Sequence, residues 1–189
     1  MTRIGTLAAC IVLLAAAASA TSLASMNLRQ LTAAAQSVVR ARCLSRQSRW
    51  EAGEIWTLTR FHVLETFKGA PPAEFTLRVL GGRVGGIESV VAGTPRFLPG
   101  DEVVLFLEPS PAGGYGITGW IEGTFPVRRD AQGRAYLMPT RSAAVSGPAT
   151  GGFRPQPIRP MPLDDFRRQI RGWLRPAGAT APAPAGSGR

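Results

Sequence analysis

Three observations predict a mainly β fold, a small antiparallel barrel or sandwich. Three runs suited to pleated, half-buried surfaces, Val38–Leu44, Ile55–Gly69 and Phe75–Leu80, are separated by turn-like segments and read as a meander. A fourth run, Glu102–Leu107 (EVVLFL), is apolar at nearly every position, as a strand covered on both faces would be. Helical spacing occurs clearly in only two places, a short N-terminal segment and an amphipathic C-terminal one.

The elements follow in order. Asn27–Ala35 reads as a short helix capped by Asn27, whose side chain accepts from an orphan backbone N–H. Leu28, Leu31 and Ala35 would form its apolar face and make it a lid on the sheet. In the first strand Val39, Ala41 and Cys43 point one way, Arg40 and Arg42 the other. The chain then turns polar from Ser45, and Gly53 supplies a turn. In the second strand Thr59, Phe61 and Val63 point inward. Trp56 and Leu58 share the opposite parity with Arg60 and His62, so a bulge or a covering element is expected there.

Phe75, Leu77 and Val79 give the third strand its inner face, with Arg78 outside. Gly81–Gly100 is expected to be a long glycine-rich loop in which Gly81-Gly82 and Gly85-Gly86 bracket Arg83, close to another part of the chain or free of it. Tyr115–Trp120, Thr124–Arg128 and Ala135–Met138 read as further strands. Thr140–Arg159 reads as extended loop. Pro162–Leu174 reads as a helix with Leu163, Phe166, Ile170, Trp173 and Leu174 on one stripe, Asp164 and Asp165 at its positive end and Arg171 at its negative end. The last helix is expected to cover Trp56 and Leu58.

Residues 1–20 read as an export signal: Arg3, then apolar Ile4–Ala18, then the small-x-small site Ala18-Ser19-Ala20. The apolar run is shorter than the ~20 residues a spanning helix needs, and no later run is long enough. The division expected is signal peptide 1–20, one domain 21–174 and a Pro/Ala/Gly tail 175–189, in a periplasmic or extracellular protein. Cleavage would remove Cys10 and leave Cys43 alone, so the fold must rest on its core without a disulfide. Cys43 reads as a small buried filler.

Catalysis meets a shortage of groups. His62 is the only histidine, and it reads as a solvated strand residue. One His and one Cys are too few for a zinc site of the usual kind. Glu51/Glu54 and Asp101/Glu102 fall in turns, where solvated acids are the ordinary case. The glycine pairs lack the spacing of a dinucleotide loop. No catalytic residue, metal or cofactor is therefore expected.

The positive signal is charge. The chain carries 22 Lys+Arg against 12 Asp+Glu, a net +10, and Lys68 is its only lysine. A meander would place Arg40, Arg42, Arg60 and Arg78 on one outer face beside Trp56, with Arg83 and Gly81, Gly82, Gly85 and Gly86 in the adjacent loop. A solvated face that keeps the sheet from self-association is the competing reading. Guanidinium groups bind carboxylate, sulfate and phosphate through a planar fork of donors. An acidic protein, an envelope polymer or lipid headgroups fit as partners. Export argues against nucleic acid.

Val63-Leu64-Glu65-Thr66-Phe67-Lys68-Gly69, the two glycine pairs and Arg96-Phe97-Leu98-Pro99-Gly100-Asp101-Glu102-Val103-Val104-Leu105-Phe106-Leu107 carry a resemblance. Over roughly Leu28–Arg128 the chain resembles a group of uncharacterised secreted bacterial proteins and, more remotely, netrin-like and tissue-metalloprotease-inhibitor domains. The resemblance implies a small OB-like, closed or partly open antiparallel β-barrel with a short N-terminal helix and an amphipathic C-terminal helix. It implies a non-catalytic binding module, or alternatively an inhibitor-like protein acting on a secreted metalloprotease. Tissue inhibitors chelate the protease zinc through an N-terminal cysteine. A chain starting at Thr21 has none, so that residue role does not carry over.

Overall fold

A computed structural model describes residues 26–140 and 159–175. The signal-like segment 1–20, most of the 140–159 loop and the tail beyond residue 175 lie outside the described residues. Among the described residues the protein is mainly β, with two α-helices, α1 (Leu28–Ala34) and α2 (Leu163–Leu174). Its strands are β1 (Ser37–Glu51), β2 (Glu54–Lys68), β3 (Glu74–Leu80), β4 (Gly82–Val84), β5 (Ile87–Ser89), β6 (Glu102–Pro109), β7 (Tyr115–Ile117), β8 (Thr124–Arg129), β9 (Ala135–Leu137) and β10 (Met161–Pro162).

The large sheet runs β1-β2-β3-β7-β6-β8-β9-β10, and β1 also pairs with β6. The pairings therefore lead from β1 through β2, β3, β7 and β6 back to β1. The expectation of a wholly antiparallel sheet is corrected at one point: β3 and β7 are parallel, joined at Leu77 and Tyr115. The reason is topological. Strand direction cannot alternate all the way round a cycle of five, so one of its pairs must be parallel.

β6 decides how the core is divided. Val103, Leu105 and Leu107 face an inner cluster with Val39, Ala41, Cys43, Phe61, Phe75, Leu77, Phe97 and Ile117. Val104 and Phe106 face a second cluster under both helices, with Leu31, Val38, Phe125, Phe166 and Ile170. The all-apolar run EVVLFL is explained by burial on both faces. Aromatic edges organise each side: Phe61 stacks on Phe75 and meets Phe97 edge-on, while Phe106 meets Phe125 and Phe166.

The capping expectation for α1 holds. Asn27 Oδ1 accepts from the Gln30 backbone N–H, and the Gln30 side chain accepts from Asn27 N–H, a reciprocal box. The far end of α1 is closed by Lys68. Its ammonium donates to the carbonyls of Thr32 (2.7 Å), Ala33 (3.2 Å) and Ala35 (2.6 Å), groups a helix end leaves unpaired. Lys68→Met is expected to destabilise the protein by about 1–2 kcal/mol, because charge-assisted bonds to these carbonyls are lost. Urea unfolding measures it; an unchanged midpoint would show that water replaces the ammonium without loss.

Four elements differ from expectation. β1 continues seven residues past Leu44, and its polar half pairs with β2 as far as Glu51 and Glu54. The glycine-rich segment is not all loop, since β4 and β5 form a small separate hairpin. The strand expected over Tyr115–Trp120 stops at Ile117. Gly119 (φ 71°) and Trp120 (φ 56°) adopt left-handed backbone there and lead into a 3-10 turn, Trp120–Gly123. Finally, α2 does not cover Trp56 and Leu58. Phe166 packs on Phe67, and Arg167 binds Glu65, at the opposite end of β2.

Candidate functional site

Strand register places the expected arginines. Arg42 lies opposite His62, Ser45 opposite Arg60, and Arg78 opposite Leu58. Arg42, Arg60 and Arg78 therefore share the outer face of the β1–β2–β3 sheet, joined by Arg49 opposite Trp56. Their surroundings differ. Arg42 is exposed and has no ion-pair partner among the described residues. Arg60 is exposed and bonds Glu74 at 2.9 Å. Arg78 is only 10% exposed, bonds Glu51 and lies 5.0 Å from the centre of the Trp56 ring. Its hydrogen bond, followed by that from Arg49, holds the Glu51 carboxyl below the usual carboxylate range. The stability this gives is present above the ordinary glutamate range and is lost as pH falls through the lowered value. The stacked, paired Arg78 holds the sheet rather than offering its guanidinium.

Arg40 is likewise removed from the candidate binding face. The outer face of β1 passes beneath the helices at Val38, and Arg40 sits at the edge of that cover. Its Nε lies 3.4 Å from Glu65, and Nη1 bonds Glu102 at 3.0 Å. Glu65 is also gripped by both sides of the Arg167 fork at 2.7 Å, and Glu102 reaches Arg129 at 3.4 Å. The result is a chain of alternating charges tying α2, β2, β1, β6 and β8 together. Parity placed Arg40 on the correct face, but it carries no information about what lies over that face.

The inner face holds a cleft that the sequence reached only in part: the candidate loop residues Gly81, Gly82 and Arg83 line it, but Arg46, Ser48 and Thr57 were not expected there. Leu44 is an extra residue between the pairs Cys43–Phe61 and Ser45–Arg60. Such a bulge reverses side-chain parity downstream. It turns Arg46 inward, opposite Thr59, and Ser48 inward, opposite Thr57. A polar cleft of about 410 Å³ lies between these residues and the segment 79–97. Arg46, Arg83 and Arg96 line it, against one carboxylate, Glu88, which bonds Arg96 at 3.0 Å.

The two glycine pairs have separate roles. Gly82 (φ 134°) rests directly on Ser48 and Thr57, and a Cβ there would collide with both hydroxyls. Thr57 Oγ1 donates to the Gly81 carbonyl at 2.6 Å, which pins the segment to the sheet. Gly85 and Gly86 form the β4–β5 turn in open space. Arg83 is exposed beside that turn.

The remaining candidates have structural places. His62 is exposed on the outer face. Cys43 is buried as a free thiol, and burial, then Asp101, pushes its pKa up. Asp101 accepts from the Leu98 N–H in its turn. Among the described residues no three His, Cys, Asp or Glu side chains gather as metal ligands, and no helix is long and apolar enough to cross a membrane. Compared with family models, curated proteins and solved structures, the chain finds no match in any of the three. What the geometry defines is a class: a mainly β protein with a mixed-sign outer sheet face and an arginine-rimmed cleft inside it.

Proposed function

We propose that the protein is an exported, non-catalytic binding module whose outer sheet face meets an acidic partner. The observation that carries this reading is the pair Arg42 and Arg60, exposed on one face in adjacent strand rows with Arg49 beyond them. Arg42 has no partner charge among the described residues. Arg60 is held only by an exposed ion pair, a contact worth little and readily exchanged. An acidic protein, an anionic envelope polymer or lipid headgroups would each supply the complementary charge. The frame is read as a small OB-like barrel, supported by the five-strand cycle around its own apolar cluster. Export is read from Arg3, the apolar stretch Ile4–Ala18 and Ala18-Ser19-Ala20.

Two measurements test the reading. Fractionation of producing cells, followed by N-terminal sequencing, is expected to find a chain starting at Thr21 outside the cytoplasm. A cytoplasmic chain keeping residues 1–20 would refute export. Titration with poly-L-glutamate is expected to give binding that weakens steeply as salt rises, since exposed charges are screened beyond ~8–10 Å at moderate ionic strength. Binding indifferent to salt, or none at low salt, would refute the acidic-partner reading.

A further inference from the structure

The outer face accounts for neither the inner cleft nor its guanidinium groups. The geometry points to a second site there, one that takes a single hydroxylated carboxylate of the sugar-acid class, the unit of an acidic glycan. The inference does not depend on the outer-face reading.

The volume suits a small ligand: about 410 Å³ falls within the ~300–1,000 Å³ range of small-molecule sites. The direction of its hydrogen bonds is more informative. The Thr57 hydroxyl donates its proton to the Gly81 carbonyl at 2.6 Å. Ser48 Oγ lies 2.9 Å from Thr57 Oγ1, and with the Thr57 proton already placed, Ser48 must be the donor of that bond. Both protons are thus held within the protein, so Ser48 and Thr57 present oxygen lone pairs to the cleft, beside Thr59 and Ser89, which also line it. A ligand resting there must bring donors of its own, as sugar hydroxyls do.

The rim has the opposite polarity. Arg46 has no ion-pair partner among the described residues, and neither has Arg83. Arg96 uses Nη2 on Glu88, and its guanidinium fork has further N–H groups. These are donors for a carboxylate. A dicarboxylate would set its second anion against the lone pairs of Ser48 and Thr57. An uncharged sugar would leave the rim charges unmatched. One carboxylate with several hydroxyls meets both surfaces. Gly82 is required because any side chain would displace the segment from Ser48 and Thr57 and disrupt the cleft floor.

The test is an NMR titration of the purified ¹⁵N-labelled protein with D-glucuronate. D-glucose, cyclohexanecarboxylate and sulfate are titrated in parallel. Saturable shifts confined to the Arg46 and Arg96 side chains and the amides of residues 79–97 are expected with glucuronate. The three comparison compounds are expected to bind about tenfold or more weaker. Arg46→Gln, at an exposed position that leaves the fold intact, is expected to weaken glucuronate binding by about tenfold or more. Arg42→Ala is expected to leave it unchanged. Equal binding of cyclohexanecarboxylate or sulfate would overturn the sugar-acid assignment. Unchanged affinity in folded Arg46→Gln, or shifts spread equally over Arg42 and Arg128, would overturn the site. A parent protein that binds glucuronate but not poly-L-glutamate at low salt would refute the outer-face reading alone.

Discussion

Phe106→Ala is expected to lower the unfolding free energy by about 3–5 kcal/mol, the range for deleting a buried aromatic ring. The ring is fully buried at the centre of the helix-side cluster. It lies 5.7 Å from the Phe125 ring and 6.3 Å from the Phe166 ring, centre to centre, so its removal loosens β8 and α2 together. β6 is clamped by the inner cluster on its other face and cannot move to fill the gap. Because proteins of this size have only ~5–15 kcal/mol in total, the variant should unfold at far lower denaturant than the parent. Chemical unfolding followed by tryptophan fluorescence reads this directly. A loss below about 1 kcal/mol would show that the helices do not depend on this seam.

Arg40→Ala is the second large effect, and it separates holding from binding. Removing one partner from a fully buried ion pair costs ~3–5 kcal/mol. Arg40 retains 19% of its exposure, and Glu65 and Glu102 keep Arg167 and Arg129. The expected loss is therefore lower, about 2–3 kcal/mol. Poly-L-glutamate binding should be unchanged wherever the variant remains folded. The opposite pattern, weakened binding with unchanged stability, would return Arg40 to the interaction face.

The sequence carried most of the frame for a physical reason. Where one face of a strand meets the core, apolar residues recur at every second position, as in Phe75, Leu77 and Val79. Where both faces are covered the run becomes continuous, as in β6. The second half of β1 lacks this signal because Gln47, Arg49 and Trp50 are exposed and no core face selects apolar partners. The bulge at Leu44 was equally hidden. It has no glycine to mark it, yet it turns Arg46 to the inner face, where unbroken alternation from Val39 would have pointed it outward. The Gly81-Gly82 pair did signal a close approach, but only coordinates could name Ser48 and Thr57 as its contact. Charge was readable as composition and parity. Which arginines are free depends on where Glu51, Glu65 and Glu102 come to rest, and these contacts join β1 to residues 25 to 62 positions away.

The central claim is that Arg42 and Arg60 together meet an anion while Arg40 and Arg78 hold the fold. It is tested most directly by the affinity of Arg42→Ala/Arg60→Ala for poly-L-glutamate across a salt series, beside the parent and Arg40→Ala. The predicted result is a drop of about tenfold in the double variant at low salt, near 1.4 kcal/mol, with a shallower salt dependence and an unaltered unfolding midpoint. A double variant that binds like the parent at every salt concentration would contradict it.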